Sequence, residues 1–260
     1  MTRKRKPLYH FWTPNHWYLW LFLGLLRLCT LLPYRVQLRF FKSVGRLLHR
    51  FDAKRRATAR RNIELCFPSL APHERDALVL AHYEAIGAAI MELGLARWAS
   101  DAKIAAMSQI EGADNLTAAL QQGEAVILLT GHFTPLELSG RIMQIICPQF
   151  DAVFKQHPNE FLSEIFRTNR ERAVGNTIES NDVRGMVRSL RSGSALWFAP
   201  DQTVRSKQSV LITFFDEPAL TNTASSKLAK LCKAIAIPWF LHRLPEGGYA
   251  MTILPRMENF

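Results

Sequence analysis

Residues 125–130 (AVILLT) form a short, nearly unbroken apolar run fenced by Gly123 and Gly131. A strand with no polar face must be covered on both sides, which restricts the fold more than any other feature of the chain. Comparable runs follow at 152–154, 194–199, 210–215, 235–243 and 249–254, interleaved with helical patterns at 161–172, 182–191 and 223–234. Strands alternating with helices predict an α/β fold, with a mixed, mostly parallel sheet flanked by helices. With 260 residues, 48% of them hydrophobic, the chain can bury one sizeable core.

Upstream of that run the patterns are helical. A helix start near residues 69–74 leads into a stretch reaching about Ser100, where Leu78, Tyr83, Ile86, Ile90 and Leu93 keep helical spacing. Gly87 and Gly94 within it would admit close approach of another element. A second helical stretch is read at 114–122, ending at Gly123.

The charge is unevenly divided. Residues 1–61 hold 15 Lys+Arg against the single acid Asp52, so this segment carries +14 and the remainder −3. The cations flank an apolar stretch, residues 17–32 (WYLWLFLGLLRLCTLL), with Arg3, Lys4, Arg5 and Lys6 before it and Pro33 after it. Basic charge beside an apolar segment, rather than beside base-stacking elements, argues for a membrane and against nucleic acid. The stretch falls short of the roughly 20 apolar residues of a spanning helix, and Arg27 lies inside it. A span, a tilted interfacial anchor, an uncleaved signal-like segment and a buried core helix all fit.

Over residues 35–51, Arg35, Arg39, Lys42, Arg46 and Arg50 recur every three or four positions, opposite Val36, Phe40, Val44, Leu47, Leu48 and Phe51. This is a basic amphipathic helix, suited to an anionic leaflet or, alternatively, to packing its apolar face on the core. The expected organisation is a membrane anchor with a basic amphipathic helix over 1–61 and a catalytic domain over 62–260. Cys29, Cys66, Cys147 and Cys232 show neither CxxC spacing nor a disulfide framework, which suits a reducing cytosolic setting.

Directly after the 125–130 run comes Gly131-His132-Phe133-Thr134-Pro135-Leu136-Glu137, a His-x4-Glu motif where a strand end opens into a helix start. An imidazole there can serve as general base near neutral pH, and a carboxylate on its other nitrogen would orient it. On one continuous helix His132 and Glu137 would stand about 140° apart. They converge only if His132 lies in the turn and Glu137 in the first helical turn, with Thr134 as N-cap and Pro135 at the first helical position. The same residues also read as a capping box, in which Glu137 only satisfies a backbone N–H.

These motifs lie among others in a recognisable order: Leu32-Pro33-Tyr34, then Arg61-Asn62-Ile63-Glu64-Leu65-Cys66-Phe67-Pro68, the His132 to Glu137 motif, and Ala199-Pro200-Asp201-Gln202. In this the chain resembles, over nearly its whole length, the bacterial lipid A late acyltransferases, the lauroyl/myristoyl-transferase family of the lysophospholipid acyltransferase-like superfamily. The resemblance implies an O-acyltransferase with His132 as general base and Glu137 as its partner. It implies an acyl carrier protein thioester as donor and a glycolipid hydroxyl as acceptor, on the cytoplasmic face of the bacterial inner membrane. No metal, cofactor or covalent enzyme intermediate is needed for that chemistry, and no nucleic acid is implied. The tetrahedral oxyanion would be met by N–H groups near 134–137 or by an arginine.

The same resemblance places Lys155, Asn159, Arg170, Arg172 and Asp201 at the acceptor site. Planar arginines suit phosphorylated sugars. Asp201 also reads as an ordinary Pro-Asp turn residue. Arg205 and Lys207 could meet an acidic carrier protein or a phosphate, while His157 and His242 are treated as structural. Two departures stand out: Lys155-Gln156 replaces the family's usual Arg-Pro, and the helical segment with a Trp and paired arginines that usually follows is not found before Phe260. They leave open a different glycolipid or aminolipid acceptor, or a catalytically inactive homologue that binds lipid or acyl carrier protein.

Overall fold

The computed structural model describes residues 6–202, 209–258 and 260. Two 3-10 turns lead into helices α1 (Trp17–Cys29), α2 (Tyr34–Phe51), α3 (Ala53–Cys66), α4 (Pro72–Trp98) and α5 (Asp101–Ala106). Then come β1 (Ser108–Glu111), α6 (Ala113–Gln121), β2 (Val126–Leu129), α7 (Leu136–Met143), β3 (Phe150–Phe154), α8 (Glu160–Arg170), β4 (Thr177–Glu179), α9 (Val183–Arg191) and β5 (Ala195–Phe198). The chain continues through β6 (Ser209–Phe214), β7 (Glu217–Asn222), α10 (Ala224–Cys232), β8 (Ile235–Arg243) and β9 (Tyr249–Ile253).

Seven strands form one sheet in the order β1-β9-β8-β2-β5-β3-β4. Of its described ladders only β8–β9 is antiparallel, so the expected α/β architecture with a mixed, mostly parallel sheet is observed. Alternate residues serve opposite faces. Val126 and Leu128 on β2, with Ala195 and Trp197 on β5, meet α4, α6 and α7, whereas Ile127, Leu196 and Phe198 meet α9 and α10. All of β5 and most of β2 are buried, as their continuous apolar sequences require. The strand expected at 210–215 forms as β6, but it pairs with β7 in a separate hairpin rather than joining the main sheet.

Helix α4 organises the N-terminal layer. Its Gly87 faces Gly45 of α2: a Cβ on Gly87 would stand 2.0 Å from the Phe41 carbonyl oxygen, and one on Gly45 2.2 Å from that of Tyr83. The two backbones are therefore in direct contact. Gly94 makes room for side chains of α1 and its C-cap, since a Cβ there would meet Thr30 Cγ2 at 2.9 Å and Leu26 Cδ1 at 3.1 Å. Farther along, buried Glu92 takes two hydrogen bonds from the Arg243 guanidinium, at 2.6 and 2.7 Å, and one from the Tyr249 hydroxyl at 2.9 Å. This bidentate pair ties α4 to β8 and β9. Removing one partner of such a buried pair typically costs about 3–5 kcal/mol.

The apolar N-terminal segment becomes a 13-residue helix, about 20 Å long and shorter than the roughly 30 Å hydrocarbon core of a bilayer. Leu19, Leu23 and Leu26 pack inward, joining Phe11, Phe161 and Ile165 or the main core, while Tyr18, Leu21, Leu25, Leu28 and Leu31 face outward. The fully buried helix is thus realised on one face only. Among the described residues the helix long and apolar enough to cross a membrane is α4, and Ala88, Met91 and Leu95 within it are wholly buried. Helix α2 turns Gln37, Phe41 and Gly45 inward and leaves Val36, Phe40, Leu47 and Phe51 exposed. Its apolar face therefore does not lie on the core.

Candidate active site

Strands β2 and β5 run parallel with Leu129 opposite Phe198, and the Thr130 N–H extends the ladder by donating to the Phe198 carbonyl at 3.2 Å. His132 lies three residues beyond Leu129, and Asp201 three beyond Phe198. Equal overhangs from in-register strands bring the two residues face to face. Asp201 Oδ2 accepts from the His132 backbone N–H at 2.8 Å, and Oδ1 lies 2.6 Å from His132 Nδ1. Gly131 makes room for this, because a Cβ there would sit 3.3 Å from Asp201 Oδ2. The chain leaves β2 through α7 towards β3 and leaves β5 through α10 towards β8, so the pair occupies a strand-end crevice where connections diverge to opposite sides.

An ionised carboxylate only accepts, so the 2.6 Å contact assigns a proton to Nδ1, and in the neutral imidazole this leaves Nε2 with a free lone pair. About two fifths of each side chain is exposed, at 39% for His132 and 43% for Asp201. A substrate can reach the ring without any buried element opening.

Glu137 sits elsewhere. Helix α7 begins at Leu136, with Pro135 in the N-cap position and no side-chain cap, because the Phe133 carbonyl already accepts the Leu136 N–H in a tight turn. Neither the Thr134 cap nor the capping box forms. The Glu137 carboxylate faces α8, where Arg170 donates through Nη2 at 2.6 Å and Nε at 3.2 Å and lies over the Phe154 ring at 5.2 Å. The expected contact of Glu137 with His132 is thus replaced by two separate pairs, His132–Asp201 and Glu137–Arg170. Helix α7 is entered one residue later than the motif suggests, and this turns the carboxylate towards α8. With 13% and 19% of the side chains exposed, Glu137–Arg170 is the more enclosed pair.

The remaining candidates divide. Lys155 is exposed just past the end of β3. Asn159 caps α8, its Oδ1 accepting from the Leu162 N–H at 3.0 Å, and its own N–H donates to His157 Nδ1. Arg172 donates to the Arg97 carbonyl at the end of α4 at 2.6 Å. His157 is occupied as a structural acceptor, and His242 is exposed on β8. Arg205 and Lys207, like Arg3, Lys4 and Arg5, lie outside the described residues. Burial pushes the Cys147 thiol up to about 11, so no thiolate nucleophile is available there at neutral pH.

One contact had no signal in the sequence. Phe133, beside the base, meets Phe240 of β8 edge-on at 5.6 Å, and both rings are partly exposed, giving the crevice an apolar wall. A cavity of about 650 Å³ opens elsewhere, between α8, β4 and α9. Its polar lining is largely self-satisfied, Gln156 bonding Glu179 and Asp151 accepting from Asn176 and Ser189.

Residues 4–259 match the family described as bacterial lipid A biosynthesis acyltransferase. The chain is 33% identical over 249 residues to a lipid A biosynthesis palmitoleoyltransferase of Escherichia coli (strain K12), covering 95% of this chain and 81% of that one. It is 32% identical over 244 residues to the lipid A biosynthesis lauroyltransferase of the same organism, with 93% and 79% covered. A lipid A biosynthesis acyltransferase of Haemophilus influenzae is 32% identical over 260 residues, with 97% and 83% covered.

Proposed function

Because this chain belongs to the bacterial lipid A biosynthesis acyltransferase family, we propose that it moves a fatty acyl group from an acyl carrier protein thioester to a hydroxyl of a lipid A precursor, with His132 as general base. The observation that carries the reading is the His132–Asp201 contact, which fixes the tautomer a base requires. Nε2 takes the acceptor's proton as its oxygen attacks the thioester carbonyl. The tetrahedral oxyanion collapses, the C–S bond breaks, and the imidazolium returns the proton to the departing thiolate. Asp201 orients the ring and stabilises its charged form. Glu137 holds Arg170 in a fixed orientation as a planar donor for the oxyanion. Positioned general-base catalysis typically contributes about 10² to 10⁴-fold.

Residues 1–61 hold the enzyme on the cytoplasmic face of the inner membrane, and 62–260 carry the chemistry. Support comes from the exposed apolar side chains of α1 and α2 and from the +14 charge beside them. The test incubates purified protein with acyl carrier protein thioesters and candidate acceptors, lipid A precursors first, and follows the lipids by mass spectrometry. An acyl-sized mass gain on the precursor that disappears in His132→Ala is expected. A mass gain on other lipids alone would move the acceptor, and none on any would remove the reading.

A further inference from the structure

Three arginines from distant parts of the chain meet at the end of α4, two of them over one indole and the third on the neighbouring backbone carbonyl. The Arg27 guanidinium, on α1, lies 5.8 Å from the centre of the Trp98 ring, and that of Arg97 lies 5.7 Å from it. Arg172, just past α8, donates to the Arg97 carbonyl at 2.6 Å. Among the described residues no carboxylate is within ion-pair distance of any of the three; the other side-chain contacts are those of Arg97 with Thr168 and Asn169 at 3.3 and 3.4 Å and of Arg27 with Thr30 at 3.4 Å. Burial, then the neighbouring Arg172 charge, hold Arg97 below the usual guanidinium value. Arg97 is half-buried, and Arg27 and Arg172 are exposed; by contrast Arg167 pairs with two glutamates, Arg170 with Glu137 and Arg243 with Glu92. The α4 C-terminus offers only about half a negative charge, too little for three cations.

We propose that Arg27, Arg97 and Arg172 form a binding site for the phosphate group of a lipid headgroup. Phosphate matches the chemistry, since it accepts several charge-assisted bonds from planar guanidinium groups at once. A lipid source fits the placement. Arg27 lies between the outward-facing Leu25 and Leu28 of α1, so a headgroup at this cluster would leave its chains beside exposed apolar side chains. Arg172 is also only two residues from Arg170, which binds Glu137, so the cluster and the candidate active site share one end of α8. The inference deepens the reading above, in which the acceptor is a glycolipid that can carry such a phosphate.

The test measures partition of the full-length protein onto phosphatidylcholine vesicles doped with a phosphorylated disaccharide lipid, with the same lipid after phosphatase treatment, or with phosphatidylglycerol. Arg97→Gln/Arg172→Gln should weaken partition onto the phosphorylated disaccharide vesicles about tenfold and leave the dephosphorylated ones unchanged. Arg27→Gln, which loses one long hydrogen bond and the contact with the Trp98 ring from an exposed position, should move the same way by a smaller factor, so a misfolded double variant would not decide the matter. An equal loss on phosphatidylglycerol assigns the site to bulk anionic phospholipid, and a loss confined to the disaccharide assigns it to the acceptor. Arg184→Gln/Arg191→Gln removes the same charge from exposed positions on α9, outside the N-terminal helices. If that control weakens binding as much, or if both cluster variants bind like wild type, the proposal is overturned. No turnover is needed, so failure here is distinct from failure of acyl transfer.

Discussion

The strand-end crevice and the N-terminal helical layer use opposite devices. In the crevice, β2 and β5 are covered on both faces, and they carry His132 and Asp201 at equal distances past the last rung. In the N-terminal layer, α1 and α2 are held by narrow inner faces at glycine contacts and leave much of their apolar surface uncovered. A rigid core places atoms to within a hydrogen bond, which chemistry demands. An uncovered apolar face places nothing precisely but can partition into a bilayer. If this contrast is right, substitutions in the crevice should change rate with little effect on membrane binding, and substitutions on the outer helical face should do the reverse.

The largest expected effect is on rate. His132→Ala should cut single-turnover transfer by about 10² to 10⁴-fold while flotation with anionic vesicles stays unchanged. Asp201→Asn should approach the same loss, because it removes the charge that stabilises the imidazolium. Glu137→Gln and Arg170→Gln should each lower the rate, and the double variant should be no worse than the more damaged single, since the two act as one unit. Additive losses from Glu137 and Arg170, or a His132→Ala enzyme keeping more than about a tenth of wild-type activity, would break the assignment of two separate pairs.

Next in size is a stability effect at the junction of the two regions. Arg243→Ala leaves Glu92 charged or forces its protonation in the core, and should destabilise the fold by about 3–5 kcal/mol in chemical denaturation. Arg46→Ala, whose Glu84 pair is half exposed, should cost at most about 1 kcal/mol. Similar losses from the two would mean that α4 is not the element joining helical layer to sheet.

How far the sequence exposed all this follows from what each segment must do. Strands β2, β5, β8 and β9 were legible because covered strands have to be apolar. At the sheet edges, β1 (SQIE) and β4 (TIE) pack partly against solvent and carry no such signature, and β7 (EPALTN) belongs to the separate hairpin. Helix α3 was hidden in a basic run, since a helix with no buried residue shows no apolar periodicity. His132 was legible from its place after β2. Its contact with Asp201 was not, because the equal overhangs acquire meaning only when β2 and β5 are known to be neighbours, 69 residues apart. Gly87 and Gly94 were readable as points of close approach, whereas the role of Gly45 depended on which helix would arrive.

On the outer helical face, Leu47→Ser and Phe51→Ser remove exposed apolar side chains. Each should leave stability within about 0.5 kcal/mol. Each should weaken vesicle partition by up to about 1.5–3 kcal/mol if the side chain is fully immersed. High salt should weaken binding of wild type further without abolishing it, because screening acts on the arginines and not on the apolar face. Complete release by salt alone would show that the exposed leucines and phenylalanines do not enter the bilayer.

The smallest effect concerns Asn159, which stands where the two regions meet: α8 packs Phe161 and Ile165 with the inner face of α1 at one end and holds Glu137 through Arg170 at the other. The family resemblance makes Asn159 a headgroup ligand, while the structure uses its Oδ1 to cap the Leu162 N–H. The two roles separate on replacement by Asp. An Asp carboxylate caps a helix as well as an Asn amide and is favoured by the helix dipole, but it repels an anionic headgroup. A pure cap therefore predicts that Asn159→Ala loses about 0.5–2 kcal/mol of stability, with Asn159→Asp retaining both stability and KM for the acceptor. A ligand role predicts that Asn159→Asp is stable with a raised KM. Denaturation curves and acceptor titrations on the two variants decide whether α8 only spans the helical layer and the crevice or also meets the substrate they share.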